Sequence, residues 1–462
     1  MSIFPAPARG PPGKTLTMFW RLCARGTDAE RNGGLLRGSG MSFTVLSLLV
    51  LATGTMNVGF GGSIASRTNL ARELTISRSV PEPHYAVPPF KYRVLFRLLV
   101  DSLSGPASLV WGPPGPGEAV SMAAVSVTSL PSRALYAAWL LASAAAFLTA
   151  LLAFKDLLLE LGFTEPWAFL GSILWLLSPP AFFAYIFPVH TRDDMLAHLF
   201  LVLGVRGILA GRYGVVVACT VLGVLTRETL MILPVACFFW RPFRWGRCLS
   251  LLGLGAAIFL ATRLVLGWEL YDALEEGVAY NLRWPLEAVT GLWLVFGVVW
   301  CPAALAFLSW VVWRRSGALD GWCSPADTGA AEIRARWAFV YASIVPVSLV
   351  MLGMHTVLGR LRETRISFHL APWIIAVGLA FIQQVGARSG RDRAPVRHNL
   401  VCQGSLVWGA VTLSVVALQR LGHAYWRLGE FRDSPWLGLI IVHGLVAAGF
   451  VAWWWYVVKG SR

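Results

Sequence analysis

Charge is what this sequence has least of. Only 14% of its 462 residues are Asp, Glu, Lys or Arg, and acids are the scarcer sign, 24 against 39 basic residues. A soluble globular domain devotes about a quarter of its residues to charge, so a water-facing surface of ordinary kind is excluded. Cysteine is also sparse. The seven (Cys23, Cys219, Cys237, Cys248, Cys301, Cys323 and Cys402) fall in apolar runs or in loops assigned below to the inner side, so no disulfide framework is implied. No repeat of about 20–50 residues is present, which removes solenoids and propellers from consideration.

What the chain has instead is oil. Hydrophobic residues make up 56% and mean hydropathy is +0.63, the profile of an integral membrane protein. Several of the 22 Trp, among them Trp240, Trp268, Trp284 and Trp313, lie where apolar runs meet charged loops, as interfacial anchors do. The net charge of +15 then reads as basic loops facing anionic lipid rather than as a nucleic-acid surface, so membrane lipid is an expected partner and nucleic acid is not.

A hydrocarbon layer of about 30 Å takes about 20 helical residues to cross. That length divides the chain into an all-α bundle of twelve candidate spans: 41–60, 132–154, 166–187, 193–211, 213–226, 228–240, 248–266, 289–313, 337–356, 366–385, 400–419 and 437–457. Residues 1–40, rich in Arg, Pro and Gly, are expected to be a cytoplasmic tail ahead of a transmembrane domain over 41–462. The first apolar run starts near Met41, too late for a cleaved signal peptide, so it is expected to be an anchor. Arg206 with Arg212, "RPFRWGR" (241–247), Arg314 with Arg315, and "ARSGRDRAPVR" (387–397) share one side under this alternation. Both termini are then cytoplasmic, as in a bacterial inner membrane or its equivalent.

Two segments call for separate treatment. The runs 213–226 and 228–240 are each too short to cross alone, so they form either a shallow hairpin turning at Arg227 or one helix interrupted there; the hairpin keeps Arg212 and Arg241 on the same side. The long outer loop, 61–131, contains "FKYRVLFRLLV", in which Tyr92, Val94, Leu95, Leu98 and Leu99 recur at helical spacing beside Lys91, Arg93, Arg97 and Asp101. This pattern predicts an amphipathic helix in the membrane interface, ended by "WGPPGPGE".

Ionised groups at membrane depth need a partner or a task. They collect on the outer side: "HTRDD" (His190 to Asp194) opening the fourth span, "TRET" (Thr226 to Thr229) at the hairpin tip, and "RLRETR" (Arg360 to Arg365) before the tenth span. His190, Asp194 and His198 follow at i, i+4 and i+8, one helical face that would suit a divalent metal. Thr191 followed by Asp194 is equally a capping box, and Asp193 or Asp194 also suits a substrate-facing carboxylate. Single interfacial arginines usually snorkel to headgroups. Several from separate segments (Arg93, Arg97, Arg192, Arg227, Arg362 and Arg365) would instead make an anion site, with Glu228 and Glu363 holding them, and guanidinium forks match phosphate oxygens.

The order of these features resembles the GT-C superfamily of polytopic glycosyltransferases. The resemblance rests on the outer-loop helix "FKYRVLFRLLV", the acids in "HTRDDMLAH", the segment "LGVLTRETLMILP" and the late stretch "RETRISFHLAPW", and it covers the layout of about residues 41–385. It implies transfer of a hexosyl or pentosyl group from a polyprenyl- or dolichyl-phosphate carrier to an acceptor on the outer face. A carboxylate would act as base and arginines would meet the phosphate. It departs from the family's pattern in having no acid soon after the first span until Glu73, so the base is expected at Asp193 or Asp194, with Glu73 in reserve. A lipid-linked-sugar or solute transporter, or a membrane protein without catalytic activity, would share the spans.

Overall fold

The computed structural model describes residues 94–111, 120–122, 125–127, 133–176, 178, 194–267, 278–283, 303–304, 306–307, 331–358 and 368–389. Within them the chain is helical apart from the turns that join helices and one small antiparallel hairpin, β1 (Val120–Met122) and β2 (Val125–Val127). The helices are α1 (Val94–Trp111), α2 (Arg133–Glu160), α3 (Glu165–Leu176), α4 (Asp194–Leu209) and α5 (Tyr213–Thr226), then a 3-10 turn (Glu228–Met231). After it come α6 (Ile232–Cys237), α7 (Trp245–Val265), α8 (Tyr280–Arg283), α9 (Ala331–Leu358), a second 3-10 turn (Phe368–Leu370) and α10 (Ala371–Ser389).

Among the described residues three stretches are long and apolar enough to cross a membrane: Leu141–Glu160 in α2, Trp245–Val265 (α7) and Ala331–Met354 in α9. This fits an integral membrane protein. Runs 41–60, 400–419 and 437–457 lie outside the described residues, as do nearly all of 289–313 and the last part of 166–187.

The bundle is organised around α2 and α4. Helix α2 packs along both α1 and α4, and α4 lies against α5 as well. Their shared interior is built from fully buried Phe147, Leu151, Phe154, Trp175, Leu201 and Ile208. Trp175 stands edge-on to Phe154, ring centroids 4.7 Å apart at 89°. Helix α7 behaves differently. It buries Cys248, Leu251 and Gly255 but leaves Leu249, Leu254, Leu260 and Leu264 exposed, the side chains that a helix would turn toward lipid.

Helix α1 forms where the periodicity predicts one, and it stops at Trp111, ahead of the Gly-Pro-Pro run. Its packed face overlaps the one read from the apolar residues nearest the charges but is turned away from Leu98. Phe96 and Val100 are buried, Leu95, Leu99 and Leu103 pack around them, and Leu98 is exposed. Residues 96, 99, 100 and 103 share one stripe at 3.6 residues per turn, while Leu98 lies well off it.

The short spans form a hairpin. After α5 the chain extends at Arg227 (φ −159°, ψ 129°) and folds back. Leu230 packs against Gly223, Tyr213 at the start of α5 meets Phe243 with ring centroids 5.8 Å apart, and the Tyr213 hydroxyl donates to the Arg247 carbonyl at 3.0 Å. Both ends of the segment 213–247 are therefore together, which excludes a single interrupted helix. Gly223 makes the close return possible. A Cβ there would lie 2.9 Å from Leu230 Cβ, too near for either backbone to ignore. Gly223→Ala is expected to lower stability by about 1–3 kcal/mol through overpacking, read as a lower midpoint of thermal unfolding in detergent.

At the opposite end from Arg227, a set of charges ties four helices. Lys155 donates to Glu165 at 2.6 Å, and Arg206 reaches Glu160 at 2.7 Å and Asp156 at 3.2 Å. Arg336 pairs with Glu332 and donates to the Glu160 carbonyl, while the Trp337 indole N–H donates to the Leu161 carbonyl at 2.9 Å. The ends of α2 and α4 and the starts of α3 and α9 thus share one face, and α4 runs from there to the other.

Candidate functional site

The other end of α4 carries the polar groups that are hardest to explain as packing. Asp194 opens the helix, where a carboxylate is favoured by the exposed N–H groups and the positive end of the helix dipole. Its carboxylate forms an ion pair with the Arg227 guanidinium, and the side chains are 2% and 3% exposed respectively. The extended residue between α5 and the 3-10 turn is what turns Arg227 inward. An arginine at a hairpin tip continued as helix could snorkel to the headgroups; here it is committed to the bundle interior.

One turn along α4 from Asp194 is His198, on the same face and 1% exposed. Its ring lies against that of His369, centroids 4.6 Å apart at 38°, and the edge of Trp175 closes a third side at 5.6 Å and 80°. His369 is fully buried in the 3-10 turn that leads into α10. Pro372 follows in the first turn of that helix, where a missing N–H costs nothing. Buried Thr226 and Thr229 flank Arg227, and the Thr226 hydroxyl donates to the Leu222 carbonyl at 2.8 Å. Glu228 is half-buried beside them.

The ends of α3 and α5, the starts of α4 and α10 and the hairpin tip therefore meet around Asp194, the Arg227 guanidinium and two imidazoles, with Glu228 beside them. Of the residues singled out by sequence, Asp194, His198 and Arg227 come together here. Arg97 lies on α1, and its side chain is outside the described set. Glu73, Arg93, His190, Arg192, Asp193, Arg362, Glu363 and Arg365 lie outside the described residues. No group of three or more His, Cys, Asp or Glu suited to a metal occurs among the described residues. The proposed metal face therefore has Asp194 and His198 on it, with His190 undescribed.

Two members of the cluster were not identified from sequence. His369 sits inside the quoted stretch "RETRISFHLAPW", where the charges drew attention and the histidine did not. Trp175 is in an apolar helix with nothing in its neighbours to mark it. A histidine immediately before a Pro-initiated apolar helix was the available signal for His369. No family model, curated protein or solved structure matches the chain.

Proposed function

We propose that the protein is a membrane glycosyltransferase of GT-C type, moving a hexosyl or pentosyl group from a lipid-phosphate carrier to an acceptor at the outer face of the membrane. The observation that carries this reading is the buried Asp194–Arg227 pair at the mouth of an apolar bundle. Burial of such a pair adds little net stability compared with apolar residues of similar volume. Ionised residues at membrane depth more often mark a site where something charged is handled.

Arg227 supplies a guanidinium for the carrier's phosphate, whose charge grows as the glycosidic C–O bond breaks. Asp194 supplies the carboxylate that takes the acceptor's hydroxyl proton once the pair has opened. Asp193 and Glu73 are the other carboxylates this reading admits. Arg93, Arg97, Arg192, Arg362 and Arg365, with Glu228 and Glu363, are its further candidates for the phosphate shell.

The full chain in nanodiscs, supplied with polyprenyl phosphohexoses and phosphopentoses, is expected to release polyprenyl phosphate. Asp194→Asn and Arg227→Lys are each expected to slow that release about 100-fold or more, the range for a lost base or phosphate contact. Inactivity of the wild type across the donor panel, or equal rates in all three proteins, would sink the reading. Vesicle assays showing movement of the intact lipid-linked sugar instead would favour a carrier.

A further inference from the structure

The turn between α6 and α7 gathers charge of one sign beside an uncovered apolar surface. From Gly207 to Trp268 the sequence holds Arg212, Arg227, Arg241, Arg244, Arg247 and Arg263 but a single acid, Glu228, which stands next to Arg227 at the hairpin tip. Arg212, Arg241, Arg244 and Arg247 are at the other end, where the Tyr213 hydroxyl is joined to the Arg247 carbonyl. We infer that this turn and the exposed face of α7 bind one anionic phospholipid of the leaflet remote from Arg227, its phosphate at the arginines and its acyl chains along the helix.

The local backbone is shaped for the phosphate. Arg241, Arg244 and Arg247 are exposed, while Arg212 is half-buried and already engaged. The Arg247 guanidinium lies over the Tyr213 ring, 5.5 Å from its centroid, which keeps it at the foot of the hairpin. Arg244 precedes α7 in extended backbone (ψ 145°) with no side-chain cap, and its carbonyl accepts from the Arg247 and Cys248 N–H groups at 2.9 and 3.2 Å. The N–H groups of Trp245 and Gly246 therefore open at the positive end of a 21-residue helix, a setting that favours an anion. A Cβ on Gly246 would meet no atom within 4 Å, so the approach is clear.

Other charges at this end belong to other helices. The described acids there, Asp156, Glu160, Glu165 and Glu332, are bound by Arg206, Lys155 and Arg336 on α2, α3, α4 and α9, whereas α7 packs on α5, α6 and the 3-10 turn after Arg227. Arg314, Arg315 and residues 390–397 lie outside the described residues.

A basic turn alone would suit any phosphate; the apolar half commits it to a lipid. Trp245, directly after Arg244, is 72% exposed, and Leu249 one turn on is 57% exposed. With Gly253, Ala257, Leu260 and Leu264 they make the face opposite buried Cys248, Leu251 and Gly255. Guanidinium groups at the foot of such a face, with an indole between them and the aliphatic side chains, match a headgroup and its chains in order. A second copy fits less well. Two chains in one membrane share their orientation, so pairing on this face would set their arginine turns at the same level, like charge against like.

The test is native mass spectrometry of the full chain from detergent micelles holding equal amounts of phosphatidylglycerol and phosphatidylcholine with the same acyl chains. Wild type is expected to retain one phosphatidylglycerol with about tenfold or greater preference, at about fivefold per guanidinium charge near a headgroup. Arg244→Gln combined with Arg247→Gln is expected to bring the preference below about twofold. Both side chains are exposed and the bond from Tyr213 goes to a main-chain carbonyl, so the fold is retained. Arg334→Gln, which removes an exposed charge from the start of α9, is expected to leave the preference unchanged, and glycerol 3-phosphate at the lipid's concentration is expected not to displace it. No preference in wild type, an undiminished preference in the double variant or an equal loss in Arg334→Gln overturns the inference. So does displacement by glycerol 3-phosphate, which would mark a site for soluble phosphate, and so does a lipid-free dimer.

Discussion

Arg227→Met is expected to destabilise the protein by about 3–5 kcal/mol, the usual result of leaving one member of a buried ion pair behind. Asp194 then faces apolar surroundings at 2% exposure with its guanidinium gone. The double variant Arg227→Met with Asp194→Asn is expected to recover most of that loss, because the cost lies in the stranded charge and not in the absent attraction. Thermal unfolding of the single and double variants in one detergent measures both. The comparison also separates structure from function: a double variant that is folded, near wild-type in stability and still unable to release polyprenyl phosphate assigns the two residues to the chemistry. If the single variant unfolds no earlier than wild type, the pair is not closed in the membrane.

Trp175→Ala is expected to cost about 3–5 kcal/mol as a large-to-small change in a packed interior. The indole is fully buried, edge-on to Phe154 at 4.7 Å and to Phe147 at 6.4 Å, and it also walls the imidazole of His198 at 5.6 Å. Its removal opens a cavity at the base of the polar cluster. Trp175→Phe keeps part of the edge contact and should lose less than half as much. Equal midpoints for wild type and the alanine variant would mean that the α2–α3–α4 interior does not bear on this site.

Much of the helical layout was legible because hydropathy and length carry it. The run 213–226 coincides with α5, and the runs 193–211, 248–266, 337–356 and 366–385 each overlap a described helix over most of their length. The turn at Arg227 was legible for a different reason: 14 residues cannot reach across, and the basic residues on either side belong together. The face of α1 was read only in part: Leu95 and Leu99 pack as expected, but Phe96 was left out of the apolar set and Leu98 was included; periodicity names a stripe only when every member of it is counted.

In the site, sequence picked out Asp194 and Arg227 by their charge but gave no means of pairing them. They are 33 positions apart, and their meeting depends on how far the hairpin climbs beside α4. His369 and Trp175 escaped notice because neither departs from what an apolar helix and its approach ordinarily contain. Their part in the cluster comes only from packing between helices distant in the chain.

The hairpin sets a depth as well as a direction. At 1.5 Å per residue α5, with 14 residues, rises about 21 Å, whereas the hydrocarbon slab is about 30 Å thick. With Tyr213 and Arg247 level with one edge of that slab, the guanidinium at the bend would lie about 9 Å inside the other edge. The bilayer must dimple toward it or water must descend to it. On the proposed reading, a phosphate carried on a long isoprenoid tail would dock below the ordinary plane of the lipids, reached by sinking into a local hollow rather than by rising out of the membrane.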